Sequence, residues 1–139
     1  MVASRVNRGN VVGLLCSFSG EKALLEAGIE RRTVPQNFRF LRLRCAADLD
    51  PHMVLDLLFK GIPGVLVFGC PERAGYFRGC AELAARRVYL LQQVLEVAGL
   101  DPERVQYVPI QPTESRKLAQ TVADYIQRQN IQPATEEGV

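Results

Sequence analysis

The chain has no tryptophan, a single histidine (His52) and only three lysines (Lys22, Lys60 and Lys117) among its 139 residues. One histidine with no recognisable acid or nucleophile partner argues against a hydrolytic triad, and His52, directly after Pro51, reads as a surface residue of a first helical turn. No lysine precedes a serine or threonine in a glycine-rich loop, so a nucleotide-binding P-loop is not supported. The basic residues are mostly arginine, scattered, and not interleaved with aromatic platforms, which argues against nucleic acid as a partner. No apolar run is long enough to cross a bilayer, and Leu15 directly before Cys16 is too large for a lipoprotein processing site. A cytoplasmic protein without membrane insertion is therefore expected. Internal repeats and low-complexity segments are also missing.

What is there suits one compact unit: 47% hydrophobic residues supply a core, while a net charge of +2 says little about partners. Two continuous apolar runs, Val11 to Cys16 and Gly64 to Cys70, have the character of strands covered on both faces. A third, Phe38 to Cys45, alternates Phe38, Phe40, Leu41 and Leu43 with Arg39, Arg42 and Arg44, and so reads as a strand near an edge with one face partly wet. Val105 to Ile110 supplies a fourth. Helical spacing occupies the intervals: Glu21 to Ala27, Pro51 to Lys60, Cys80 to Ala98 and Glu114 to Gln129. Asp50 followed by Pro51 is an N-cap with proline at the first helical position, and Gly61 and Gly99 close their helices.

This alternation predicts an α/β fold, a single flavodoxin-like or Rossmann-like domain over residues 11–130 with a mostly parallel four-stranded sheet flanked by helices. The preferred strand order is 2-1-3-4, which opens a crevice between the first and third strands at their carboxyl ends. Residues 1–10 read as a flexible arm and 131–139 as a disordered tail.

Three of the four cysteines, Cys16, Cys45 and Cys70, stand at or just past strand ends, which places them along the sheet edge where such folds build their sites. Cys80 ends the glycine-containing loop Cys70 to Cys80 and begins a helix, whose positive end, with Arg73 and Arg78 nearby, favours a thiolate. In a reducing compartment the uses open to these cysteines are plain burial, metal binding and redox chemistry. A lone cysteine in a strand is most simply a small buried apolar residue. Four at one edge call for more, although a C-x9-C spacing belongs to neither zinc ribbons nor ferredoxins and does not decide the metal. Anion binding at the helix start ranks below a metal site.

From Arg44 to about Tyr125, the succession Cys45, Asp50-Pro51, Gly61, Gly64-Val65-Leu66-Val67, Gly69-Cys70, Gly79, Ala81, Arg86-Arg87, Leu90-Leu91, Gly99-Leu100 and Pro102-Glu103-Arg104-Val105 resembles the methyl-viologen-reducing hydrogenase delta subunit family. The strand ending in Cys16 resembles the start of that family. The resemblance implies a non-catalytic electron-transfer protein with a [2Fe-2S] cluster. Its implied partners are the heterodisulfide reductase A-like flavoprotein of a larger complex, and a hydrogenase or other dehydrogenase. The chain departs from the family pattern at Ser19, where a C-x-x-C motif has its second cysteine, at Gly75 and Tyr76, and at Cys80. Four cysteines remain, the number such a cluster takes. Cys16, Cys45, Cys70 and Cys80 are the expected ligands, with Cys80 substituting for an absent one and Ser19 expected in a hydrogen bond or helix cap. Arg73, Tyr76, Phe77 and Arg78, with the segment from Ala46 to Leu49, are the expected docking surface. The alternatives are a cluster-free adaptor of the same kind of complex and a zinc or thiol redox domain.

Overall fold

The computed structural model describes residues 7–71 and 77–133. Its main sheet is formed by β2 (Val11–Cys16), β3 (Phe38–Leu43), β4 (Val65–Gly69) and β5 (Val105–Pro109), all parallel, in the spatial order β3-β2-β4-β5. That is the expected 2-1-3-4 order. Four helices flank it: α1 (Gly20–Ile29), α2 (Pro51–Phe59), α3 (Cys80–Val97) and α4 (Ser115–Arg128).

The side-chain alternation of β2 divides the core. Val12, Leu14 and Cys16 pack with Val54, Leu58, Ala84, Val88, Leu91 and Leu95 under α2 and α3. Val11 and Leu15 pack with Ala23, Leu118, Val122 and Tyr125 under α1 and α4. Strands β2 and β4 are buried throughout, whereas β3 lies at the edge with Phe40 53% and Leu41 48% exposed.

Asp50 caps α2 as expected, its Oδ1 accepting from the backbone N–H of His52 at 3.0 Å, and His52 is exposed. Strand β3 stops at Leu43, two residues short of the expected end, because the chain turns there into a 3₁₀ segment, Ala46–Asp48, capped by Cys45.

The folded unit also reaches beyond 11–130. A two-residue strand β1 (Asn7–Arg8) pairs in parallel with β6 (Ile131–Gln132), and Ile131 is buried in the core under α4. Asn130, at φ 53, reverses the chain after α4 in a conformation that asparagine tolerates better than most residues. A two-residue strand carries no periodicity, so nothing in the sequence marks it.

Candidate metal centre

The parallel sheet puts the carboxyl ends of β2, β3 and β4 side by side, and all four cysteines gather there, free and buried. Cys16, the last residue of β2, turns its side chain to the α2/α3 face by strand alternation. Its Sγ lies 4.0 Å from that of Cys70, just past β4. Cys45 follows β3, and its Sγ accepts a hydrogen bond from the Ala47 N–H at 3.4 Å. Cys80 opens α3 after Gly79, and it lines one cavity with Cys45.

The four thiols therefore stand as two pairs, Cys16 with Cys70 and Cys45 with Cys80. Burial pushes the Cys45 thiol up to about 11, against a backbone hydrogen bond from Ala47 that lowers it, with Cys80 and then Cys16 adding to the rise. Tyr107 bridges the pairs electrically. Burial raises its pKa first, and Cys70, Cys80, Cys16 and Cys45 all raise it further. Its hydroxyl donates to the Cys70 carbonyl at 2.6 Å. A Cβ at Gly69 would lie 2.6 Å from that hydroxyl and 2.9 Å from Ala46 Cβ, so the glycine before Cys70 is what lets β5 reach across.

Ser19 is the surprise of the site. It is 1% exposed and precedes α1, yet its side chain makes no cap hydrogen bond, and its Oγ is the one buried side-chain polar atom without a partner among the described residues. An unmade hydrogen bond of this kind costs about 1–3 kcal/mol. The expected cap or hydrogen bond is thus absent from the protein's own groups. Ser19 lines a cavity with Phe18, Lys22, Cys70 and Pro71.

The mouth of the Cys45/Cys80 cavity is formed by Arg44, Ala47, Asp48, Phe77, Arg78 and Leu83, so part of the expected docking surface does surround the thiols. Phe77 is 44% exposed and packs edge-on against Phe18 with ring centroids 5.6 Å apart. Arg87 donates to the carbonyls of Ala47 and Leu49 and fixes that turn against α3. Arg73, Gly75 and Tyr76 lie outside the described residues.

The donor set fits a group with two metal centres better than a single ion. No three His, Cys, Asp or Glu side chains among the described residues are grouped to hold one metal ion. Two thiol pairs at one sheet edge are the arrangement a dinuclear cluster with two cysteines per iron takes, and the orphaned Ser19 hydroxyl marks a buried polar demand beside one pair. Sequence reasoning missed Tyr107, whose only signal was the glycine in β4 marking a close approach.

The model of the methyl-viologen-reducing hydrogenase delta subunit matches residues 11–131, nearly the whole chain. The chain belongs to that family. This family member is 28% identical over 116 residues to the iron-sulfur subunit of the F420-non-reducing hydrogenase of Archaeoglobus profundus, covering 84% of this chain and 85% of that one. It is likewise 28% identical over 118 residues to the vhu iron-sulfur subunit of the F420-non-reducing hydrogenase of Methanopyrus kandleri, covering 85% of this chain and 89% of the relative. It is also 31% identical over 117 residues to a ferredoxin:CoB-CoM heterodisulfide reductase chain, HdrA-type in its naming, of Methanosarcina mazei, with 84% of this chain covered. The match spans only 15% of that relative's length. A unit of this size thus matches hydrogenase iron-sulfur subunits along most of their length and the heterodisulfide reductase relative as one part of a longer chain.

Proposed function

We propose that this delta-subunit family member relays electrons through a [2Fe-2S] cluster held by Cys16 and Cys70 on one side and Cys45 and Cys80 on the other. The observation that carries this reading is the pairing of four buried thiols at one sheet edge, with Cys16 and Cys70 Sγ atoms 4.0 Å apart. When bound, such a cluster supplies a one-electron carrier; the protein contributes the four thiolates, an apolar surround and a rigid frame. Burial keeps the Cys45 proton on its sulfur in the absence of metal, so loading the site releases that proton.

The proposed partners are the heterodisulfide reductase A-like flavoprotein and a hydrogenase or other dehydrogenase. The likeness to one part of a heterodisulfide reductase chain and to hydrogenase iron-sulfur subunits supports both. The mouth of the Cys45/Cys80 cavity offers a docking centre, with Phe77 and Leu83 as apolar contacts and Arg44 and Arg78 as charges for an acidic rim.

Iron and acid-labile sulfide per chain, measured on protein purified without oxygen, test the proposal together with the absorption and EPR spectra. About two irons and two sulfides, with an EPR signal on one-electron reduction, are expected. Colourless protein that still co-purifies with the flavoprotein would replace the relay with a cluster-free adaptor. One zinc per chain would sink the iron reading.

A further inference from the structure

We infer that the Ser19 hydroxyl donates a hydrogen bond to a sulfur of the group held by the four cysteines and thereby raises its reduction potential, an inference that rests on the cluster reading above. Ser19 sits where the N-cap of a ten-residue helix usually turns its oxygen back to the N–H of the second or third helical residue. It does not do so here. With φ −142 and ψ −67, its side chain makes no cap hydrogen bond, and its Oγ finds no other partner.

The backbone holds it in that position. The Ser19 N–H bonds back to the Cys16 carbonyl at 3.2 Å, and its own carbonyl accepts from Ala23 at 2.9 Å. The next residue, Gly20, is wedged against β4, where a Cβ would meet the Phe68 carbonyl oxygen at 2.8 Å. The hydroxyl is thus fixed in the lining of the cavity that Cys70 shares, within one turn of Cys16. The neighbouring Ser17 behaves differently: its Oγ donates to the Arg44 carbonyl at 2.8 Å and has no spare demand.

A serine O–H can donate to sulfur, and a donor to a cluster sulfur stabilises the more negative, reduced state. The positive end of α1 acts in the same sense. Removing the hydroxyl removes its share of that stabilisation, and the midpoint potential falls. Tenfold in the reduction equilibrium is about 59 mV for one electron.

The test compares wild type, Ser19→Ala, Ser19→Thr and Ser17→Ala, each assayed for iron and sulfide and then titrated spectroelectrochemically. Expected are equal iron contents throughout, a potential lowered by tens of millivolts, roughly the tenfold step, in Ser19→Ala, and wild-type potentials in Ser19→Thr and Ser17→Ala. An unchanged potential in loaded Ser19→Ala would overturn the inference and assign the hydroxyl to a trapped water. Loss of iron from a folded Ser19→Ala would also overturn it, making the oxygen a ligand instead. Should the alanine variant not fold, deuterium-sensitive Fe–S Raman bands in wild type that persist in Ser17→Ala support the donor, and insensitive bands reject it. Wild type without iron, by contrast, removes the cluster reading itself.

Discussion

Tyr107 shows how one side chain can tie a site to the scaffold behind it. Its ring stands on β5, its hydroxyl holds the carbonyl of Cys70, and its pKa is raised by burial and by all four thiols. Tyr107→Phe keeps the ring and removes the bond, leaving the carbonyl short of a partner. A loss of about 0.5–1.5 kcal/mol is expected, read as a lower denaturant midpoint with an unchanged slope. Unchanged stability would mean that Cys70 needs no anchor. Each cysteine can be tested in the same way. Cys80→Ala, the change at the position where the family pattern is broken, should abolish cluster retention without unfolding the chain, and full iron content in that variant would remove Cys80 from the ligand set. A third prediction concerns Glu30. The Ser115 hydroxyl and then Arg32 hold its carboxyl below its usual 4.5, so the folded state favours the ionised form. This contribution is complete above about pH 4.5 and disappears as pH falls through the lower folded value. The difference in Tm between wild type and Glu30→Gln should therefore be present at pH 6 and vanish towards pH 3 (approximate test points on either side of the carboxylate range). A constant difference would place the effect elsewhere.

The edge strand β3 raises an issue of a different kind, since its outer hydrogen-bonding edge is unpaired and carries exposed Phe40 and Leu41 between Arg39 and Arg42. Charges on an edge discourage pairing with a second chain. Arg42 bonds Glu21 at 3.0 Å with its own side chain 65% exposed, a surface pair that adds little to stability. Arg42→Val should consequently leave Tm within a degree or two, equivalent to about 0.5 kcal/mol, yet increase light scattering at high concentration. Unaltered scattering would show that another feature guards the edge. This strand was legible in the sequence because its arginines interrupt an apolar alternation. The four main strands, their order and the four helices were legible for the same reason: each carries enough periodic residues to declare its type, and four strands joined by helices leave few parallel arrangements. The site was half legible. Strand ends announced where Cys16, Cys45 and Cys70 would meet, but the pairing of thiols depends on the 3₁₀ turn after β3, and turns record their geometry in too few residues. The β1/β6 pair, Tyr107 and the orphaned hydroxyl of Ser19 stayed hidden because each arises from contacts between segments far apart in the chain.

At the scale of the whole molecule, the four cysteines come from four separate stretches: the end of β2, the turn after β3, the residue after β4 and the start of α3. A cluster bound to all of them would fasten the carboxyl edge of the sheet to the longest helix and close loops spanning residues 16–80. Closing long loops restricts the unfolded chain more than the folded one, and a ligand that requires all four positions binds only the folded state. The expected outcome of metal removal is therefore a global change in stability, not a local one. Loaded protein should melt well above the protein stripped of iron, and even about 1 kcal/mol of stabilisation would shift Tm by about 4 °C in a domain of this size. Far-ultraviolet circular dichroism should still report the same helices after stripping, because the core on both faces of the sheet is complete without metal. Hydrogen exchange should separate the two effects, with protection lost first in the residues around Cys45 and Cys80 and last in β2 and β4, the strands buried along their whole length. Equal melting temperatures with and without two irons per chain would show that the thiols do not share one cluster, and the paired arrangement would then have to be explained by packing alone.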